Sequence, residues 1–281
     1  MYKRQVYQIL TSVPPKSSSA DLIPPSLIKS CPGVFSEIIS VLANLSFSEG
    51  CFPTLFKKAV VTLLLKKPCL DNSAPSSYRP ISNLNFISKI LERLFLIRIQ
   101  PHIFSSPNFN QHQSAYRRNY STETALLSTT NSFFQSSDST DTGKSTLLIS
   151  LDLSAAFDTI DHSILSRLNT SFGLTGTVYS WLKSYLTDRY QTVQIGQHSS
   201  TPTLCTSGVP QGSVLGPLLF TIFRSLTSPI YTMFININIL MIHSFSYLYP
   251  HSVFSWNFQP CRLLICVKFL VLHKRLGIKS G

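Results

Sequence analysis

Apolar positions fall into short runs of two spacings, and each run points to an element. Residues 34–48, VFSEIISVLANLSFS, place Val34, Ile38, Val41, Leu42 and Leu45 at helical intervals, which predicts an amphipathic helix. Residues 59–65 suit a buried strand with basic residues on both sides, and the polar stretch 71–80 reads as a turn region ending in Pro80. ISKILERLFLIRIQPHI repeats Ile87, Ile90, Leu91, Leu94 and Phe95 at helical spacing and should stop near Pro101. A further helix is expected over 121–135, and a Ser/Thr/Asp-rich surface loop over 132–144. Residues 146–151 form an apolar run that reads as a strand carrying Asp152 near its end, and AAFDTIDHSILSRL then turns toward helix. Residues 177–186 are amphipathic and helical in pattern, RYQTVQIG alternates like a strand that closes at Gly196, and GVPQGSVLGPLLFTIF passes from a Gly/Pro turn into an apolar helix. Residues 11–33, rich in Ser and Pro with two Pro-Pro pairs, have a linker composition, so residues 1–33 are expected to be linker or disordered. No internal repeat is evident.

Composition changes this picture in two ways. An apolar fraction of 43% in 281 residues supports a substantial core. The net charge of +12, from 24 basic and 12 acidic residues, favours a polyanionic partner, nucleic acid before membrane. Much of that excess comes from the end of the chain: no residue after Asp188 is acidic, while 189–281 retain basic ones. The six cysteines form neither a CxxC pair nor a zinc-like cluster, and no secretory leader is visible, so an intracellular location, nucleus or cytoplasm, is expected. The opening MYKRQ resembles a translated library adaptor.

Asp152, at the end of an apolar strand, stands where a carboxylate can hold a metal ion against a phosphate. Asp158 and Asp161 lie nearby, but their spacing alone does not put them on one metal, and capping of the following helix is their plainer role. TGKST at 142–146 lacks the upstream glycine of a P-loop, since Asp138 stands there. QGSVL around Ser213 is not a hydrolase elbow, and the histidines show no metal-ligand spacing.

LDLSAAFDTIDH (151–162) resembles the first catalytic palm block of reverse transcriptases from non-long-terminal-repeat retrotransposons, and GVPQGSVLGPLLF (208–220) resembles the block that follows it. SYRPISNLNFISKILERL, KKAVVTLLLKKPCLD and NQHQSAYRRNYSTETALL are similar to the fingers region of the same family. The resemblance runs from about residue 30 to about residue 222. It implies an α+β fold: a right-hand polymerase fragment with fingers (34–145) and a partial palm (146–222), an antiparallel palm sheet backed by helices. It implies RNA-templated DNA synthesis from deoxynucleoside triphosphates, with an RNA template, a DNA primer and, in an intact member, two Mg²⁺ ions. By resemblance Asp152 is the first metal-binding catalytic aspartate, and Phe157 lies under the incoming sugar, where its ring excludes a 2′ hydroxyl. Arg79 and one of Lys66 or Lys67 meet the triphosphate, and Gln211, with Gly208 and Gly212, adjoins the template–primer and nascent pair. Arg117 and Arg118 face template backbone.

The family's next block is an aromatic-Ala-Asp-Asp hairpin that supplies the remaining carboxylates, roughly thirty residues past Gln211. Here that region reads ININILMIHSF, without acid. Read one nucleotide late, the codons of Asn238 to His243 can spell Tyr-x-Asp-Asp-Thr: the final G of Met241 with the AT of Ile242 must give Asp, and a Leu240 codon ending in G gives the other. A one-nucleotide slip between about residues 220 and 238 accounts for this and for the acid-free end, so 223–281 are expected to be a degenerate or out-of-frame tail. The uncharged stretch within 230–249 is long enough for a membrane span, but Asn236, Asn238, His243 and Ser244 interrupt it, and no stable membrane association is expected. The function expected is therefore that of a retrotransposon reverse-transcriptase domain, inactive as the chain stands, with a non-catalytic nucleic-acid-binding remnant as the alternative.

Overall fold

Helix α1 (Lys3–Ser12) buries Val6, Ile9 and Leu10, and Tyr2 ahead of it is buried too. Those positions recur at i, i+4, i+7 and i+8, one face of a helix. Helix α2 (Pro25–Ser30) follows, with Pro25 in its first turn, where its missing N–H is no loss. Residues 1–33 are therefore not the featureless linker that their composition suggested. Asp21 anchors them further: its Oδ1 accepts the Phe86 N–H at 2.6 Å.

These observations come from a computed structural model that describes residues 2–138, 146–153, 156–226, 239–243 and 265–271. The chain divides into two units: Met1–Phe109 with Ile160–Phe220, and Asn110–Thr159 with Thr221–Gly281.

In the first unit, α3 (Pro32–Glu49) lies where the helical spacing placed it, but it presents a different face. Ser36, Ile39, Ser40, Ala43 and Ser46 are buried, whereas Val34, Ile38, Val41 and Leu45 are exposed. Small residues on the packed face let α1 come close. β1 (Lys58–Leu65) pairs antiparallel with β2 (Tyr78–Asn83) and parallel with β4 (Arg189–Ile195). β1 is only partly the buried strand expected: Ala59 and Val61 are buried, Leu63 and Leu64 exposed. β2 begins inside the stretch expected to be a turn. It tolerates Pro80 because it lies at the sheet edge, where a missing N–H breaks no ladder. β5 (His198–Ser199) and β6 (Thr203–Cys205) both pair antiparallel with β4, so the sheet is mixed. β1 and β4 are joined by a long crossover, which permits their parallel pairing.

Helix α4 (Phe86–Ser105) starts at Asn85, whose side chain accepts the Ile87 N–H at 2.9 Å. It carries Pro101 within its last turns and ends near it, at Ser105. α6 (Ile164–Phe172) and α7 (Gly176–Leu186) complete the helical layer. An aromatic cluster of Phe47, Phe52, Phe95, Trp181 and Tyr185 joins α3, α4 and α7, with Phe95 stacked on Trp181 at 4.0 Å. The indole N–H is satisfied by Ser46 Oγ at 2.9 Å.

In the second unit, α5 (Thr122–Asp138) extends through residues 132–138, where a surface loop was expected; the rest of that loop, 139–145, lies outside the described residues. β3 (Thr146–Leu153) is the centre of an antiparallel three-stranded sheet, flanked by β7 (Ile239–His243) and β8 (Ile265–Val271). α8 (Gly216–Leu226) begins in the first unit and ends in the second. The stretch 230–249 falls outside the described residues except for β7, and among the described residues no helix is long and apolar enough to cross a membrane.

Candidate functional site

The first unit brings two of the sequence blocks together through backbone contacts. The Ser82 N–H on β2 donates to the Gln211 carbonyl at 2.8 Å. Gly212 follows with φ +127°, and a Cβ there would stand 2.7 Å from the Ser82 carbonyl oxygen. This close approach is the reason for glycine at that position. Arg79 lies three residues earlier on the same strand, exposed, opposite Leu64. Lys66 follows β1 directly; its Nζ donates to the Ser76 carbonyl at 2.8 Å, while Lys67 is exposed. The hairpin that bears Arg79 and the loop that bears Gln211 thus share one support.

A second tie holds the start of the Gln211 loop. The Gly208 N–H donates to the Ile160 carbonyl at 2.7 Å, and the Gly208 carbonyl is bonded to His162 Nε2 at 2.9 Å. A carbonyl only accepts, so His162 carries its proton on Nε2. The end of the LDLSAAFDTIDH block is thereby fixed to the start of the GVPQGS block.

The far end of the loop rests on Glu92, a site residue that the sequence reading passed over. Glu92 is completely buried in α4, and its Oε2 accepts the N–H groups of Val214 at 2.7 Å and Leu215 at 3.1 Å. The Tyr185 hydroxyl donates to the same oxygen at 3.2 Å, and Ser88 donates to Oε1 at 3.1 Å. Burial pushes the Glu92 carboxyl up, against the opposing pull of the Arg189 charge and the two backbone donors. Burial and the adjacent Glu92 also push the Tyr185 phenol up. Arg189 is buried against the Tyr185 and Phe52 rings; its Nη1 donates to the Tyr185 carbonyl, and Nε and Nη2 have no partner among the described residues. The signal for Glu92 was present in the sequence: an acid four residues after Ser88, within the apolar face of a helix.

The second unit holds the other expected residues. Asp152 sits near the end of β3, paired with Cys266 of β8. β7 runs along the first half of β3, with Leu240 opposite Ile149 and Met241 opposite Leu148. Phe157 is half-buried in the turn after β3. Arg117 donates to the Gln111 carbonyl at 2.9 Å and stacks over Tyr120 at 4.4 Å, and Arg118 beside it is exposed. Tyr116 and Asn119 on either side adopt positive φ, so this pair lies on a tightly turned segment. None of Lys66, Lys67, Arg79, Arg117 and Arg118 has a carboxylate partner within salt-bridge distance among the described residues.

The described residues do not complete a two-metal centre. Asp152 is a single carboxylate, β7 contributes no acid, and among the described residues no group of three His, Cys, Asp or Glu side chains could hold a metal ion.

Comparison with known proteins places these blocks in a lineage. The family profile described as "Reverse transcriptase (RNA-dependent DNA polymerase)" matches residues 64–242. The chain therefore belongs to the reverse transcriptase family, on the branch found in non-long-terminal-repeat retrotransposons. It is 31% identical over 223 residues to a probable RNA-directed DNA polymerase from transposon BS of Drosophila melanogaster, covering 79% of this chain and 24% of that protein. It is 32% identical over 208 residues to the probable RNA-directed DNA polymerase from transposon X-element of the same organism, covering 74% and 22%. The Pol polyprotein from type-1 retrotransposable element R2 of Popillia japonica is 30% identical over 180 residues, covering 63% and 24%. The chain spans about a quarter of the length of the curated relatives it matches.

Proposed function

We propose that residues 34–145 are the fingers and 146–222 the partial palm of a right-hand polymerase, that β3 is what remains of the palm sheet, and that 223–281, including β7 and β8, are a degenerate or out-of-frame tail. The lineage chemistry is RNA-templated DNA synthesis with divalent metal ions, Mg²⁺ in this reading. The chain as it stands keeps the parts that grip substrate and does not polymerise. One observation carries this: β7, the strand laid along Asp152's own strand, offers Leu240, Met241 and Ile242 and no carboxylate. In-line transfer needs charge neutralised on both the attacking and leaving oxygens, and one aspartate does not hold the ions for that.

In this reading Arg79 with Lys66 or Lys67 clamps the triphosphate, Phe157 lies under the sugar, and Gln211 with Gly208 and Gly212 lines the template–primer. Arg117 and Arg118 meet template phosphates. Among the described residues these basic groups have no carboxylate partner, which supports the nucleic-acid-binding remnant as the activity that survives.

Three measurements test the proposal. Fluorescence anisotropy with an RNA–DNA template–primer should give binding that weakens steeply with salt; salt-independent or absent binding would overturn the retained grip. Primer extension with Mg²⁺ and deoxynucleoside triphosphates should give no product. Incorporation that Asp152→Ala abolishes would overturn the inactivity. Sequencing the encoding DNA decides the tail: a Leu240 codon that does not end in G rules out the frame slip.

A further inference from the structure

An ionisable side chain with no exposure is a poor filler for a helix interior. Leu or Met would occupy the space of Glu92 without the desolvation penalty. What an apolar residue lacks is an acceptor, and here the acceptor meets a specific need. Val214 and Leu215 immediately precede α8, whose first-turn N–H groups have no partners inside the helix. Glu92 Oε2 takes those of Val214 and Leu215, and Ser213 Oγ takes that of Gly216 at 3.0 Å. Gln211 therefore stands between two anchors: Ser82 holds its own carbonyl, and Glu92 holds the chain three and four residues on.

We propose that Glu92 is a positioning residue for the Gln211 loop: by fixing the Val214 and Leu215 N–H groups it holds Gln211 where it meets a template–primer duplex. The inference rests on the reading of the Gln211 block as a template–primer contact. Glu92 itself is sealed from any ligand, so it acts only through the loop.

The test uses the full chain with an RNA–DNA duplex followed by anisotropy, and amide hydrogen exchange at Val214 and Leu215. Glu92→Met keeps the volume and removes the acceptor. It should speed exchange at both amides and weaken duplex binding, each by roughly tenfold, the scale of one lost hydrogen bond. Glu92→Gln keeps one acceptor oxygen, and its NH₂ can donate to Ser88, so it should restore both properties. In a Gln211→Ala background Glu92→Met should weaken binding no further, whereas a merely structural role would add its loss to that of Gln211→Ala. If Glu92→Met does not fold, Glu92→Asp replaces it, since it withdraws the acceptor by one methylene while keeping a carboxyl group. Wild-type binding and protection in the variant, or additive losses, would overturn the proposal. If the wild-type chain itself ignores the duplex, the template–primer reading fails, and amide exchange alone then decides whether Glu92 holds the loop.

Discussion

Ser82 grips the Gln211 loop from both ends of one residue: its N–H donates to the Gln211 carbonyl at 2.8 Å, and its own carbonyl lies against Gly212. Two blocks far apart in sequence become one rigid support, with Arg79 carried on the same strand.

Gly212→Ala is expected to destabilise the first unit by about 2 kcal/mol or more, because it adds a positive-φ penalty to a backbone clash. Gly33→Ala is the control: a Cβ at Gly33 meets nothing, and Gly33 lies within α3, so a gain of about 0.5–1 kcal/mol is expected. Urea denaturation of the two variants should move the midpoint in opposite directions. Equal midpoints would mean that the close approach at Ser82 does not exist in solution.

The packed face of α3 can be tested by neighbouring substitutions. Ile39→Ala should cost about 2–5 kcal/mol, while Ile38→Ser should stay within about 0.5 kcal/mol of wild type. Thermal melts that rank the two the other way would place the apolar stripe in the core.

Stability should depend on pH through Glu92. Burial raises its carboxyl above the ordinary 4.5, so between that value and the raised one the folded state binds more protons than the unfolded chain. The contribution is fully present below about pH 4.5 and is lost as pH rises through the raised value. Glu92→Gln does not titrate, so its stability relative to wild type should increase as pH rises from the ordinary 4.5 through the raised value. A constant difference across that range would contradict the raised carboxyl.

His162→Ala removes the bond to the Gly208 carbonyl and should cost about 1 kcal/mol. Proteolysis or exchange at residues 206–212 should rise with it. Unchanged protection there would show that His162 does not tie the two blocks.

Much of the element pattern was legible along the chain, because local spacing fixes whether a segment is helix or strand. The runs at 34–48, 59–65, 146–151 and 177–186 all became the expected element types. The face of α3 was not legible. Its larger apolar residues suggested one stripe, yet packing selected the serines and alanine that allow close approach. α1 was hidden for a different reason: its neighbours are rich in Ser and Pro, and composition outweighed the four apolar positions that α3 later covers.

The sequence by itself determined the lineage and the missing acid, since motif residues and the absence of Asp or Glu after Asp188 need no coordinates. Only the tertiary structure decided what holds the Gln211 loop. Ser82, Glu92 and His162 reach it from segments distant in sequence. A hydrogen bond between such segments leaves no periodic trace in the chain; it exists only once buried backbone donors and acceptors must find partners.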